Sequence, residues 1–244
     1  MIETIVVQGK KVDTDRARRI AERFECEVTN EIPDNKDAMY FVMDKTGISF
    51  VARGQVLKGD FTRLLNRVTG GHLQHEILLK VAGDGQGLRA VDATAGLGED
   101  SFILAAGGFD VELFEHNPVT ATLLKDALVR GNNDPKLRDI TRKMVLKEGD
   151  SKELMQSLSY VPDIIYLDPM FPEKKKSAET KKKLQVLHKI ELPCSDEVEL
   201  LETAMTVKPG KIIIKRPPGC ENLAGVKPTY VVERKAVRFD CIVQ

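Results

Sequence analysis

The sequence contains no tryptophan, few other aromatic residues and no excess of charge of either sign. Aromatic residues make up 5% of its 244 residues, and 37 basic side chains are balanced by 37 acidic ones. A chain without net charge does not coat nucleic acid by bulk attraction, so any site for a polyanion must be local. Hydrophobic residues, at 42%, still suffice for an aliphatic core, and the length allows one large domain or a medium domain with a small one.

Long hydrophobic runs and paired cysteines are also missing. No stretch approaches the roughly 18 consecutive apolar residues of a membrane span, and the first residues lack the basic and apolar regions of a signal peptide. The cysteines are scattered and form no C-x-x-C pair, which argues against a zinc site or a disulfide framework. They are Cys26, Cys194, Cys220 and Cys241. We therefore expect a soluble, cytoplasmic protein with reduced thiols, no membrane partner and no metal.

The hydrophobic pattern predicts two α/β parts joined by a connector. Residues 1–60 predict a small α/β unit with a strand, a helix and a β-hairpin, and residues 61–88 predict a connector and a helix. Residues 89–244 alternate strand and helix, which is typical of a doubly wound, Rossmann-like parallel sheet with helices on both faces. The apolar runs at 230–232 and 237–243 predict a terminal antiparallel hairpin.

A glycine turn opens the larger part. A short apolar strand ends on Asp92, and Gly96 and Gly98 follow it before a helix-like segment. Such a turn lets a ligand approach the backbone and the first free N–H groups of a helix. The next strand ends on Glu115, 17 residues after Gly98, about the spacing that places a carboxylate on ribose hydroxyls. The dinucleotide fingerprint G-x-G-x-x-G is not met, because Ser101 stands at the third glycine position.

The pattern D-x-x-x-G-x-G with a downstream acid instead resembles motif I of the class I S-adenosylmethionine-dependent methyltransferases. A purely structural turn is the alternative interpretation. Two further acidic positions point to the same sheet edge. Asp150 and Ser151 follow the third strand, where they could accept from an adenine amino group or cap a helix. Glu99 and Asp100 begin the first helix, where they could bind a methionine ammonium or serve as a cap.

The string Asp168-Pro-Met-Phe-Pro172 follows a buried strand and therefore lies at the sheet edge where ligands bind in open α/β folds. It resembles the (Asp/Asn)-Pro-Pro-(Tyr/Phe) signature of methyltransferases that modify planar amino groups, with Met170 in place of the second proline. The Asp168 carboxylate and the Pro169 carbonyl can accept the two N–H bonds of such an amine, and Phe171 offers a face for stacking an extruded base. We predict these three residues to be catalytic. The alternative is a turn with a buried aromatic residue.

A lysine-rich segment follows that string at 173–183, and two further cations follow the fifth strand. A mobile cationic flap beside the substrate loop could hold the phosphates that flank a target nucleotide. The alternative is an ordinary solvated surface. The predicted RNA-binding residues are Lys174, Lys175, Lys176, Lys181, Lys182, Lys183, Lys215 and Arg216.

Taken together, these strings resemble the bacterial RsmJ family, which methylates the N2 amino group of a guanine in 16S ribosomal RNA. The resemblance covers about 90–244 well and the N-terminal part weakly. It implies a class I methyltransferase fold and S-adenosyl-L-methionine as cofactor. Arginine is usual in the family at two of the implied positions, Glu99 and His116, so backbone contacts rather than cationic ones are expected there. The implied cofactor-binding residues, with those of the glycine turn, are Asp92, Gly96, Gly98, Glu99, Asp100, Glu115, His116, Asp150, Ser151 and Asp168.

The expected partner is 16S ribosomal RNA or the small ribosomal subunit. Three alternatives stay open at this point. The same chemistry could act on another nucleic-acid base or on a protein glutamine. The chain could also be a non-catalytic RNA-binding assembly protein with a vestigial cofactor pocket. A nicotinamide-dependent oxidoreductase is disfavoured by the missing third glycine.

Overall fold

The computed structural model describes residues 2–9, 12–169 and 197–244. The chain divides into two compact units, one formed within residues 1–60 and the other beginning at Phe61. Among the described residues, no helix combines the length and the apolar character that crossing a membrane requires.

The first unit is a five-stranded mixed sheet with one helix. Its strand order is β2-β1-β3-β4-β5, with β1 parallel to both neighbours and β3, β4 and β5 antiparallel. The elements are β1 (Thr4–Val7), α1 (Thr14–Phe24), β2 (Glu27–Thr29), β3 (Met39–Asp44), β4 (Gly47–Ala52) and β5 (Gln55–Leu57). The predicted strand, helix and hairpin are confirmed. β2 and β5 were not predicted, because three residues are too few to show a period.

Helix α1 begins and packs as its sequence predicts. The Asp13 carboxylate accepts from the Arg16 backbone N–H at 2.8 Å and so caps the helix. Its buried face contacts the sheet, where Phe24 and Phe41 have ring centroids 5.1 Å apart. Phe41 in turn meets Phe50 edge to face at 5.1 Å, so an aromatic row forms the centre of this small core.

The second unit contains a seven-stranded sheet within the described residues. The order is β11-β12-β10-β9-β6-β7-β8, and β12 runs antiparallel to both neighbours while the other pairs are parallel. The strands are β6 (Arg89–Asp92), β7 (Asp110–Glu115), β8 (Met144–Glu148), β9 (Ile164–Leu167), β10 (Lys211–Arg216), β11 (Tyr230–Glu233) and β12 (Arg238–Val243). The predicted doubly wound sheet and its terminal antiparallel pair are confirmed.

Helices cover both faces of this sheet. They are α2 (Leu65–Val68), α3 (Ile77–Ala82), α4 (Glu99–Ala106), α5 (Pro118–Asn133), α6 (Arg138–Thr141), α7 (Ser151–Gln156) and α8 (Glu197–Thr206). Alternate residues of the central strands enter two separate cores. Tyr166 and Ile213 pack with Phe102 in one, whereas Ile165 and Ile212 pack with Leu201 in the other. Because both faces are buried, these strands are almost continuously apolar.

The connector packs beneath the glycine turn. Phe61 stacks on Phe102 of α4, with centroids 5.0 Å apart and planes 9° from parallel. Gly98, at the start of α4, has φ +73°, and a Cβ there would lie 2.8 Å from Leu124 Cδ1. Leu124 is fully buried and has little room to move. Glycine at this position is therefore required both by the backbone conformation and by close packing.

Replacing Gly98 by alanine should test that requirement. Gly87 offers a matched control in the same unit, because it has φ +75° and a Cβ on it would have no other atom within 4 Å. An alanine in the left-handed backbone conformation costs about 1–2 kcal/mol. The free energy of unfolding of Gly87→Ala, measured in urea, should therefore fall by that amount. Gly98→Ala should lose about 1–3 kcal/mol more through overpacking. Equal losses for the two variants would contradict the packing argument.

Candidate active site

Two loops that are distant in the sequence meet at the carboxyl edge of the large sheet. Strands β6 and β9 are parallel neighbours, with Asp92 paired to Tyr166. The Asp168 backbone N–H donates to Thr94 Oγ1 at 2.6 Å, a contact between residues 74 apart in the chain. The loop that follows β6 carries the glycine turn, and the loop that follows β9 carries Asp168 and the buried Pro169. Phe171 lies outside the described residues.

Glu115 holds the glycine turn in shape. Its Oε2 accepts from the Gly96 N–H at 2.9 Å, and its Oε1 accepts from the Asn117 N–H at 2.7 Å. The carboxylate is 5% exposed and joins the end of β7 to the turn after β6. Gly96 itself has φ +53° and no atom within 4 Å of a Cβ position, so open space adjoins the turn. The acid thus has a structural task in addition to the predicted contact with a ribose.

Asp92 lies behind the turn and is 1% exposed. It accepts from the Ser101 hydroxyl at 2.5 Å and from the Thr94 N–H at 3.1 Å. Burial raises the pKa of this carboxyl to about 7, and the nearby charges of Asp100 and Asp168 act in the same direction. Asp92 therefore anchors the turn through its bonds to Ser101 and Thr94.

Lys215, at the end of β10, lies between two of the predicted site carboxylates. Its Nζ is 2.6 Å from Asp100 Oδ2 and 2.8 Å from Asp168 Oδ2. The Tyr166 hydroxyl also donates to Asp100 Oδ2, at 2.7 Å. Burial opposes the charged form of Asp100, but Lys215 outweighs it and holds the pKa of that carboxyl below its ordinary value. Burial likewise opposes the charge of Lys215, but Asp168 and Asp100 raise its pKa above the ordinary value.

The sequence predicts cations at 215 and 216 that face RNA, whereas the structure shows both side chains in contact with other parts of the protein. The Lys215 side chain is 32% exposed and engaged with two acids, and the Arg216 side chain is 7% exposed. Arg216 Nη2 donates to the Glu221 carbonyl at 2.6 Å, and Nη1 lies 3.9 Å from Glu197. The physical reason is the position of β10, which is covered on both faces, so cations along it need internal partners. Both cations thus have internal partners, and their predicted contact with RNA stays a prediction.

The remaining predicted cofactor residues follow β7 and β8 at the same edge. Asp150 caps α7 by accepting from the Lys152 N–H at 2.8 Å, and the Ser151 hydroxyl donates to the Ala93 carbonyl at 2.5 Å. The His116 ring is largely exposed, with Nδ1 3.6 Å from Glu115 Oε1. Glu99 is exposed at the first turn of α4. The predicted residues thus come from the ends of four neighbouring strands, as ligand sites in open α/β sheets do.

One cation from the connector faces this edge and was not predicted. Arg67 donates from Nε and Nη2 to the two Glu76 oxygens at 2.8 and 2.7 Å. This pair raises the pKa of Arg67, and the charges of Asp100 and Glu99 add to the effect. The described residues contain no group of three or more His, Cys, Asp or Glu side chains placed to hold a metal ion.

The predicted RNA-binding lysines fall outside what can be described. Lys174, Lys175, Lys176, Lys181, Lys182 and Lys183 all lie between residues 169 and 197. Their role therefore stays a prediction from the sequence.

Comparison with known proteins identifies the family. A family model of SAM-dependent methyltransferases matches residues 21–244. The ribosomal RNA small subunit methyltransferase J of Neisseria gonorrhoeae is 34% identical over 93% of this chain and 92% of its own length. That of Dechloromonas aromatica is 39% identical over 75% of this chain and 77% of its length.

A solved structure agrees with these sequence matches. The crystal structure of a SAM-dependent methyltransferase from Neisseria gonorrhoeae superposes with a TM-score of 0.77 and 29% identity, covering 98% of this chain and 95% of that one. The RsmJ resemblance, the class I fold and the predicted cofactor are all confirmed. The chain is a member of the S-adenosylmethionine-dependent methyltransferases and belongs, within them, to the ribosomal RNA small subunit methyltransferase J family.

Proposed function

We propose that this enzyme transfers a methyl group from S-adenosylmethionine to the N2 amino group of a guanine in 16S ribosomal RNA, in the cytoplasm. The observation that carries the proposal is the hydrogen bond between the Asp168 N–H and Thr94 Oγ1, which joins Asp168 to the loop that carries the glycine turn. The named activity of the relatives supports ribosomal RNA of the small subunit as the substrate. The guanine N2 position follows from the resemblance to the RsmJ family.

The side chains at this edge fit the cofactor by their chemistry. S-Adenosylmethionine supplies an electrophilic methyl on a cationic sulfur, and it carries an ammonium, ribose hydroxyls and an adenine amino group. Glu115 and Asp150 offer acceptors for such donors at the ends of β7 and β8, and Asp100 offers one at the start of α4. Open space beside Gly96 admits a ligand to the backbone of the turn. We assign these residues, with Asp92, Gly98, Glu99, His116 and Ser151, to the cofactor site.

Asp168 has the position and charge to orient an exocyclic amine. An amino group conjugated with a ring is a weak nucleophile, and its two N–H bonds need acceptors that draw the nitrogen away from planarity. The Asp168 carboxylate and the Pro169 carbonyl supply such acceptors, and Phe171 is assigned to stack on the base. Because the methyl donor is already activated, catalysis here consists mainly of positioning.

The function is tested directly by mapping modified nucleosides in 16S ribosomal RNA from cells with and without this protein. Loss of one N2-methylguanosine, restored by the wild-type protein, is the expected result. Methylation assays on naked RNA, assembled small subunits and protein then identify the substrate. An unchanged RNA modification pattern together with methylation of a protein glutamine would overturn the proposal.

Substituting Asp168 by alanine should abolish most turnover while the fold persists. The loss removes an acceptor for the substrate amine, so kcat should fall by about 10²–10⁴-fold, the range typical of a positioned acid or base. Asp163→Ala is the matched control, because Asp163 lies at the opposite end of β9 and accepts from the Arg89 N–H. Turnover of Asp168→Ala within a few-fold of the control would remove Asp168 from the mechanism.

Replacing Lys181, Lys182 and Lys183 by alanine should weaken RNA binding and flatten its salt dependence. Each phosphate contact contributes about 0.7–0.9 to the slope of log K against log salt, so removing three such contacts should lower the slope by about 2. Lys136→Ala with Lys208→Ala is the control, since both lysines lie in loops that lead into α6 and β10 from the other edge of the sheet. An unchanged slope in the triple variant would assign the segment to ordinary surface.

A further inference from the structure

The ammonium group of Lys215 bridges Asp168, in the loop after β9, and Asp100, at the start of α4. We infer that Lys215 is a positioning residue for methyl transfer, whose Nζ fixes the Asp168 carboxylate against the first turn of the cofactor-binding helix α4. The contacts are 2.8 Å to Asp168 Oδ2 and 2.6 Å to Asp100 Oδ2. The inference rests on the proposed function in one respect, because it takes Asp168 as the acceptor for the substrate amine.

The strand register explains why a residue of β10 reaches both acids. β10 pairs in parallel with β9, and the last paired residues are Ile214 and Leu167. Lys215 and Asp168 are therefore the next residues on neighbouring strands. Lysine provides a compact charge with three donors on a flexible stem, which suits contact with two carboxylates that approach from different elements.

Asp168 is held from two sides by this arrangement. Its backbone N–H donates to Thr94 Oγ1 at 2.6 Å, and its side chain contacts Lys215. Thr94 is itself bound through its N–H to Asp92, and Asp92 accepts from Ser101 on α4. These hydrogen bonds thus connect Asp168 to α4, the helix that also contains Asp100. Both the backbone and the carboxylate of Asp168 are tied to the cofactor loop, which is the rigidity that near-attack positioning requires.

The charges around Lys215 keep it an ammonium rather than a proton acceptor. Asp100 and Asp168 contact it, and the charges of both raise the pKa of Asp92. The Tyr166 hydroxyl donates to Asp100, and the charge of Arg67 also acts on Asp100. The two contacting acids raise the pKa of Lys215, so it does not serve as a base. Two carboxylates that contact the same nitrogen lie within a few ångströms of each other, and without the ammonium they would repel.

The test compares Lys215→Met with Lys215→Arg and with Lys211→Met. Lys211 is a matched control on the same strand and face, at the opposite end, where its Nζ donates to the Val81 carbonyl at 2.7 Å. Lys215→Met should lower kcat about 100-fold and leave the KM for S-adenosylmethionine within about 3-fold. Lys215→Arg, which keeps the charge, should recover most of the loss, and Lys211→Met should remain within about 3-fold of wild type.

The pH profile separates positioning by charge from mere structural support. Without the ammonium, the facing carboxylates bind protons more readily, so the acid limb of kcat/KM should move up by about one pH unit in Lys215→Met. A 100-fold loss with an unshifted limb and no recovery in Lys215→Arg would overturn the inference. Lys215→Gln replaces Lys215→Met should the latter fail to fold.

A second measurement needs no RNA and keeps the two proposals apart. In Lys215→Met, protonation of one carboxylate relieves repulsion, so its deficit in Tm against wild type should narrow as the pH falls from 8 to 5. A constant deficit would count against the electrostatic role of Lys215. If the wild-type enzyme methylates no RNA while the deficit narrows, the proposed function fails and the ion-pair network stands. If the wild-type enzyme methylates RNA and the activity of Lys215→Met equals that of Lys211→Met, the proposed function stands and the positioning role of Lys215 fails.

Discussion

The parallel pairing of β6 with β9 is the constraint on which the active site depends. It aligns Asp92 with Tyr166 and so brings the glycine turn beside the loop that contains Asp168. Neither loop could form the proposed site alone, since one offers the backbone of the glycine turn and the other the carboxylate of Asp168. A right-handed crossover topology makes such neighbours from strands that are far apart in the chain. The site is therefore a property of strand order rather than of either sequence motif.

This strand order has an electrostatic cost that the surrounding residues offset. Carboxylates gather at one edge, and each is matched to specific donors. Glu115 accepts from Gly96 and Asn117, whereas Asp92 accepts from Thr94 and Ser101. Asp100 and Asp168 share Lys215. Backbone N–H groups at turns and helix starts supply most of these donors, which explains why the acids stand next to glycines and helix termini.

The sequence predicted features that depend on residues close together in the chain, and it missed contacts that depend on which strands lie side by side. Periodicity and glycine placement predicted the longer strands and helices of both sheets and the turn at Gly96, because those signals lie within a few residues of each other. Lys215 and Arg216 looked like surface cations, since no local pattern shows that β10 is covered on both faces or that it lies beside β9. The stacking of Phe61 on Phe102 was likewise invisible, because it joins the connector to α4. The prediction that Glu115 contacts a ribose did not include its hydrogen bonds to the Gly96 and Asn117 backbone, because spacing along the chain does not show them.

The charge left at this edge after internal pairing indicates the kind of ligand it suits. Asp100 and Asp168 contact one ammonium, and their charges act on Asp92. These four side chains carry one excess negative charge when Asp92 is protonated and two when it is ionised. Burial raises the pKa of Asp92 to about 7, and the group is negative in either protonation state of that carboxyl. A part-buried site of this charge stabilises a cation more than a neutral molecule, because the surrounding medium screens the attraction less than water does. A net negative charge is the sign that a sulfonium donor requires. It comes from acids whose individual hydrogen bonds also stabilise the fold.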